Sequence, residues 1–194
     1  MTPAAASAGA RYDRVARAAH WLLAAFAVIV VSFGWANEAA ARNTPARASL
    51  LLLHRSLGLT ILALVLFRIL WRVRHRPPPL PTTVAPVQRA LARLTQSGLD
   101  AVFLAMPLTG YANAAAAGHA VSLFGAVAIP PLLPLDERLS QIAIAVHLVG
   151  QYLFYFLVAL HIAGALYHGL IRRDRVLDRM LPRRRPCAAK TPPV

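Results

Sequence analysis

Apolar positions along the chain gather into four long blocks, at residues 18–36, 50–71, 97–117 and 142–171. A bilayer core of about 30 Å is crossed by about 20 apolar helical residues. The pattern therefore predicts an all-α integral membrane protein, a bundle of four transmembrane helices. The fourth block is longer than a span requires and is expected to tilt or to project from the membrane. Prolines punctuate the rest: Pro77 to Pro79 and Pro81 end the second block, because proline cannot continue a helix. Residues 85–96 read as an amphipathic lead-in to the third block, with Leu91 and Leu94 apolar and Arg89 and Arg93 basic. Residues 118–141 form a loop carrying Pro130, Pro131 and Pro134. There is no internal repeat. The organisation expected is a tail at 1–17, one four-helix domain at 18–182, and a basic, Pro-rich, disordered tail at 183–194.

Composition agrees with this pattern. Of 194 residues, 58% are hydrophobic and 14% charged, and the formal net charge is +14. In a soluble chain such a charge would suggest nucleic acid. Here it sits in short patches between the apolar blocks, so no nucleic-acid partner is expected. Lys and Arg set topology. Arg11, Arg14 and Arg17 precede the first block. Arg68, Arg72, Arg74, Arg76, Arg89 and Arg93 lie between the second and third, and eight basic residues follow from Arg172. The opposite side holds Arg42, Arg47, Arg55 and Arg138. Both termini are therefore expected in the cytoplasm. The first block has the basic start of a secretory leader, but about 19 apolar residues exceed the roughly 7–15 of a signal core, so it reads as a span. The single cysteine, Cys187, permits no intrachain disulfide, and without a C-x-x-C-H motif no haem is attached covalently.

Histidine supplies the candidate chemistry. His75 and His119 fall in loops. His20, His54, His147, His161 and His168 fall inside or at the ends of spans, where ionisable groups are costly and usually functional. His147 and His161 are 14 residues apart, so they share one helix face within about 40° and lie roughly 21 Å apart along the axis. One face thus offers ligands at two depths, as two stacked haems require. Alternating helix direction pairs His54 with His147 near the outer side. It pairs His20 with either His161 or His168 near the inner side. Depth favours His168, since His20 and His168 each lie within roughly 6 Å of their boundary arginines. Tunnelling distance favours His161, since partners at His147 and His168 would sit roughly 31 Å apart.

Zinc sites gather three or four ligands at one depth, whereas these histidines pair at two. Two trans imidazoles saturate a haem iron and favour electron transfer. Ala24, Gly58, Gly150 and Gly164 follow the four ligand candidates by three or four residues, where a small side chain lets a flat macrocycle approach the backbone. Arg17, Arg68 and Arg72 inside, and Arg47 and Arg55 outside, are candidate partners for haem propionates.

The chain resembles the bacterial cytochrome b561 family, which includes small four-helix dihaem cytochromes and the b-type subunits of nickel hydrogenases. The resemblance runs from about Tyr12 to Arg184. Its marks are Ala19-His20-Trp21-Leu22, His54-Arg55-Ser56-Leu57-Gly58, Met106-Pro107-Leu108-Thr109-Gly110 and Leu123-Phe124-Gly125 with Pro130. His147, the run from Leu160 to His168, Asp174 and Arg179-Met180-Leu181-Pro182 complete them. The resemblance implies two haems b held by His20, His54, His147 and His161 in a bacterial inner membrane. It is greatest to the superoxide oxidase branch, whose members pass electrons from superoxide at the outer face to ubiquinone near the inner face. It then implies that His168 borders the quinone site and that Arg55 helps to attract superoxide. An electron-transfer subunit serving a partner redox protein is the alternative that the resemblance also allows.

Overall fold

The computed structural model describes residues 11–79, 81 and 83–181. The tail expected at 183–194, with Cys187, and most of the tail expected at 1–17 lie outside the described residues. Four helices carry the fold: α1 (Arg14–Ala39), α2 (Pro45–Arg74), α3 (Pro86–Ala116) and α4 (Glu137–Leu166). Their starts follow local chemistry. The Asp13 carboxylate accepts the Ala16 N–H at 2.8 Å, Thr44 Oγ1 accepts that of Arg47, and Asp136 accepts that of Leu139. Side-chain oxygens there satisfy donors that a helix start leaves free. Pro45 and Pro86 each occupy a first turn, where no N–H is required.

Three of these helices are long and apolar enough to cross a membrane: Arg14–Ala39, Pro45–Arg74, and α4 with its continuation, Glu137–Arg172. The third is a full-length helix that falls short of that apolarity. Gln96, Asp100, Thr109 and Asn113 interrupt it, and the bundle accounts for each of them. Asp100 pairs with Arg68 and Arg72, Gln96 donates to Asp100, Thr109 faces His147, and Asn113 donates to Ser140. Meanwhile large apolar side chains point outward, among them Val28, Val149, Phe156 and Ile171. Buried polar groups with exposed apolar ones are the arrangement that lipid, not water, favours.

The helices pack as two antiparallel hairpins, α1 with α2 and α3 with α4, joined chiefly through α2 and α3. Between α1 and α4 backbone packing is almost absent. Across that seam side chains meet instead, His20 with His161 and Trp35 with Tyr155.

The two ends close differently. At one, the chain after α3 turns at Gly118 (φ 78°), where a Cβ would meet Leu135 at 2.6 Å. It then forms a short antiparallel hairpin of β1 (Val121–Leu123) and β2 (Val127–Ile129). Buried Ser56 of α2 secures this hairpin, accepting the Phe124 N–H at 2.8 Å and donating its one proton to the carbonyl of Leu52 or of Ser122. At the other end, α4 passes into a π-helical turn, Tyr167–Arg172, and then a strap through Leu181. Strap carbonyls accept from Arg11, Arg17 and Trp21 of the first segment. Arg172 and Arg179 donate to carbonyls of Thr83 and Pro79 in the α2–α3 connection.

Candidate haem sites

Four of the five intramembrane histidines meet in two pairs. His54 of α2 faces His147 of α4 with ring centroids 6.1 Å apart, at the hairpin end. His20 of α1 faces His161 of α4 at 6.0 Å, toward the strap end. A metal–imidazole bond of about 2.0–2.1 Å places the centroids of two trans imidazoles about 6.3 Å apart. Both pairs are therefore spaced to receive one iron between them. Among the described residues no group of three or more His, Cys, Asp or Glu side chains is arranged to hold a metal ion.

Of the two sequence candidates opposite His20, it is His161 whose ring lies there. His168 belongs to the π turn, which breaks the register of α4. Its Nδ1 is 2.6 Å from a carboxylate oxygen of Asp174, and that oxygen is also 3.9 Å from Arg172.

The hairpin-end pair is held from behind. His54 Nδ1 lies 3.0 Å from the Val30 carbonyl oxygen, and His147 Nδ1 lies 2.9 Å from that of Met106. A carbonyl only accepts, so each Nδ1 carries the proton and each Nε2 keeps its lone pair for a ligand bond. Thr109 Oγ1 is also 3.1 Å from His147 Nδ1. Its own proton goes to the carbonyl of Ala105 or Met106, each at 2.9 Å. Glycines make room for both rings. A Cβ on Gly34 would stand 3.1 Å from His54 Cε1, and one on Gly110 would stand 3.4 Å from His147 Cε1.

Beside this pair all four helices and Val121 line an apolar cleft that is open at its mouth. Gly58 lines it, and a Cβ there would meet nothing within 4 Å. Arg55 lines it too, half-buried next to His54.

At the strap end Arg68 lies against Asp100 at 2.7 Å, and Arg72 reaches the same carboxylate at 2.8 Å. Arg17 donates to the Leu181 carbonyl, while its Nε is buried and has no partner among the described residues. An anionic group such as a propionate fits that orphaned donor.

The remaining sequence candidates divide. Gly164 is exposed, and a Cβ there would meet no described residue within 4 Å. At Gly150 a Cβ would meet Met106 Sδ at 2.8 Å. Its small size therefore serves the α3–α4 contact, because the helix face that carries it turns toward α3. Arg47 donates to the Ala40 carbonyl and secures the α1–α2 turn. The histidine spacing gave no site role to Gly34, Asp100, Met106, Thr109 or Gly110, although the last three stand in a stretch that marks the family resemblance. Asp100 did leave a signal, as a carboxylate within an apolar block. A backbone carbonyl such as that of Val30 leaves none.

A helical bundle with exposed apolar faces and two facing imidazole pairs defines a membrane cytochrome of the b type. The model of prokaryotic cytochrome b561 matches residues 11–183, and the chain belongs to that family. The chain is 30% identical over 183 residues to the cytochrome b561 homolog 2 of Escherichia coli (strain K12), covering 88% of this chain and 91% of that protein. A second protein of that strain, cytochrome b561 homolog 1, is 27% identical over 179 residues, 90% of this chain and 99% of the relative. The Yersinia pestis protein named probable superoxide oxidase CybB is 28% identical over 168 residues, 86% of this chain and 93% of that one. The protein is thus a multi-pass bacterial membrane cytochrome that uses b-type haem and works with a redox partner.

Proposed function

We propose that the chain carries two haems b and acts as a superoxide:ubiquinone oxidoreductase. The observation that carries this reading is the pair of facing imidazoles at each of two levels, with centroids 6.1 and 6.0 Å apart. His54 and His147 would hold one haem, His20 and His161 the other. Gly58 leaves room for the first, and Arg17 and Arg68 would receive propionates of the second. Haem iron supplies reversible one-electron reduction.

On this reading α3 crosses the bilayer with the other three helices, its polar groups turned inward. Both termini lie in the cytoplasm of a bacterial inner membrane, in keeping with the distribution of Arg. The hairpin end is then outer and the strap end inner. Arg55 draws superoxide to the outer mouth by its charge. Each superoxide gives up one electron and leaves as dioxygen; two electrons and two protons convert ubiquinone to ubiquinol. At the inner end His168, with Asp174 behind its Nδ1, presents Nε2 to a quinone carbonyl. In the imidazolium form that nitrogen donates. The likeness to the Yersinia pestis protein, at 28% identity, supports the choice of superoxide.

The test is a superoxide pulse on the purified haem-loaded protein, with haem reduction followed optically. Near diffusion-limited reduction that slows as salt rises, followed by reoxidation with a soluble ubiquinone analogue, is the expected result. Slow reduction that ignores salt would assign the chain to electron exchange with a partner redox protein.

A further inference from the structure

The two histidine pairs differ in what stands behind them. Both imidazoles of the outer pair donate Nδ1–H to carbonyl oxygens, and Thr109 Oγ1 offers His147 a second acceptor. Among the described residues, neither ring nitrogen of His20 or His161 has a hydrogen-bond partner; the two rings face each other, and that of His20 also meets Trp21. A hydrogen bond from the far nitrogen makes an imidazole a more basic ligand. A more basic ligand stabilises ferric over ferrous iron and lowers the reduction potential.

Charge does not reverse this order. Arg55, a single cation, lies beside His54. Arg68 acts on both His20 and His161. With Arg72 and Asp100 its cluster carries one net positive charge, and Arg17 adds another. The inner end is therefore at least as favourable to a reduced iron.

We infer that Thr109 and the Met106 carbonyl position His147 so that the outer site has the lower potential, which sets electron flow from the outer pair to the inner pair. The transfer is of one electron: the outer iron passes from ferrous to ferric, the inner from ferric to ferrous, and no proton or co-reactant takes part. Pro107 contributes by its place in the chain, between the two residues that meet the ring. Thr109 touches neither substrate nor iron and is a positioning residue. This inference rests on the two-haem reading proposed above.

The experiment is an optical redox titration of the haem-loaded protein in detergent. Two waves are expected. His20→Leu, which keeps the outer pair, retains the lower wave, and His54→Leu retains the higher. In the dihaem protein Thr109→Val, which keeps shape and removes the acceptor, shifts the lower wave upward and leaves the higher in place. Thr109→Ser restores the original position. The reverse order in the single-haem variants overturns the inference, as does a Thr109→Val protein whose lower wave stays put or whose higher wave moves. Should the histidine variants bind no haem, the Thr109 series decides alone. Failure of the underlying reading looks different, as a wild-type haem content other than two per chain.

Discussion

The hairpin end and the strap end offer the same two imidazoles but build them into opposite surroundings. At the hairpin end the rings are held by backbone carbonyls, pressed against Gly34 and Gly110, and bordered by an apolar cleft. At the strap end, among the described residues, the rings have no hydrogen-bond partner, and the neighbourhood is ionic, organised by Asp100 between Arg68 and Arg72. On the two-haem reading, two pairs of the same composition would therefore behave differently, because hydrogen bonds, charge and burial around a haem tune it alongside its ligands.

The largest test of that contrast is haem content. On the two-haem reading, replacing His54 or His147 by Ala should lower content from two haems per chain to one, and so should replacing His20 or His161. Haemochrome absorbance per protein reads this directly. Glycine sharpens the result. Gly34→Val forces a side chain into His54 and should release the haem at the hairpin end with loss of fold stability. Gly58→Val enters open cleft space and should release the haem while the apo-protein stays folded. Equal retention of both haems in all of these variants would break the comparison.

Next in size is the ionic end. Asp100→Asn leaves Arg68 and Arg72 without their shared counter-charge. Breaking a buried pair from one side costs about 3–5 kcal/mol, reduced here because Arg72 is about one-third exposed. A thermal melt in detergent should show a clear fall in Tm. An unchanged Tm would mean that the cluster is solvated.

The smallest effect concerns Asp13, which caps α1. Burial raises its pKa, but the Ala16 N–H, the Trp71 indole and further groups outweigh that and hold the carboxylate below its ordinary value. A depressed folded pKa gives stability that is present at neutral pH and is lost as pH falls through the folded value, in the acid range below the ordinary carboxylate pKa. Asp13→Ala should cost about 1 kcal/mol, the usual worth of an N-cap, and should flatten the acid limb of a stability–pH curve. A variant with the same acid limb as the wild type would contradict this.

The sequence by itself determined the parts that follow from periodicity and from the cost of burying polar groups in lipid. Four helices, their order, the breaks at Pro77 and Pro130, and the 14-residue step from His147 to His161 were all legible, because helical geometry is local. So was the resemblance to the b561 family. Tertiary structure decided what depends on a partner from another helix. It placed His161 rather than His168 opposite His20, since a π turn and Asp174 take His168 out of register. It turned Gly150 toward Met106, made α3 a supplier of contacts to His147, and satisfied Asp100 with arginines 28 and 32 residues away. Backbone carbonyls that fix a tautomer carry no residue signature, and only the packed bundle brings them to the ring.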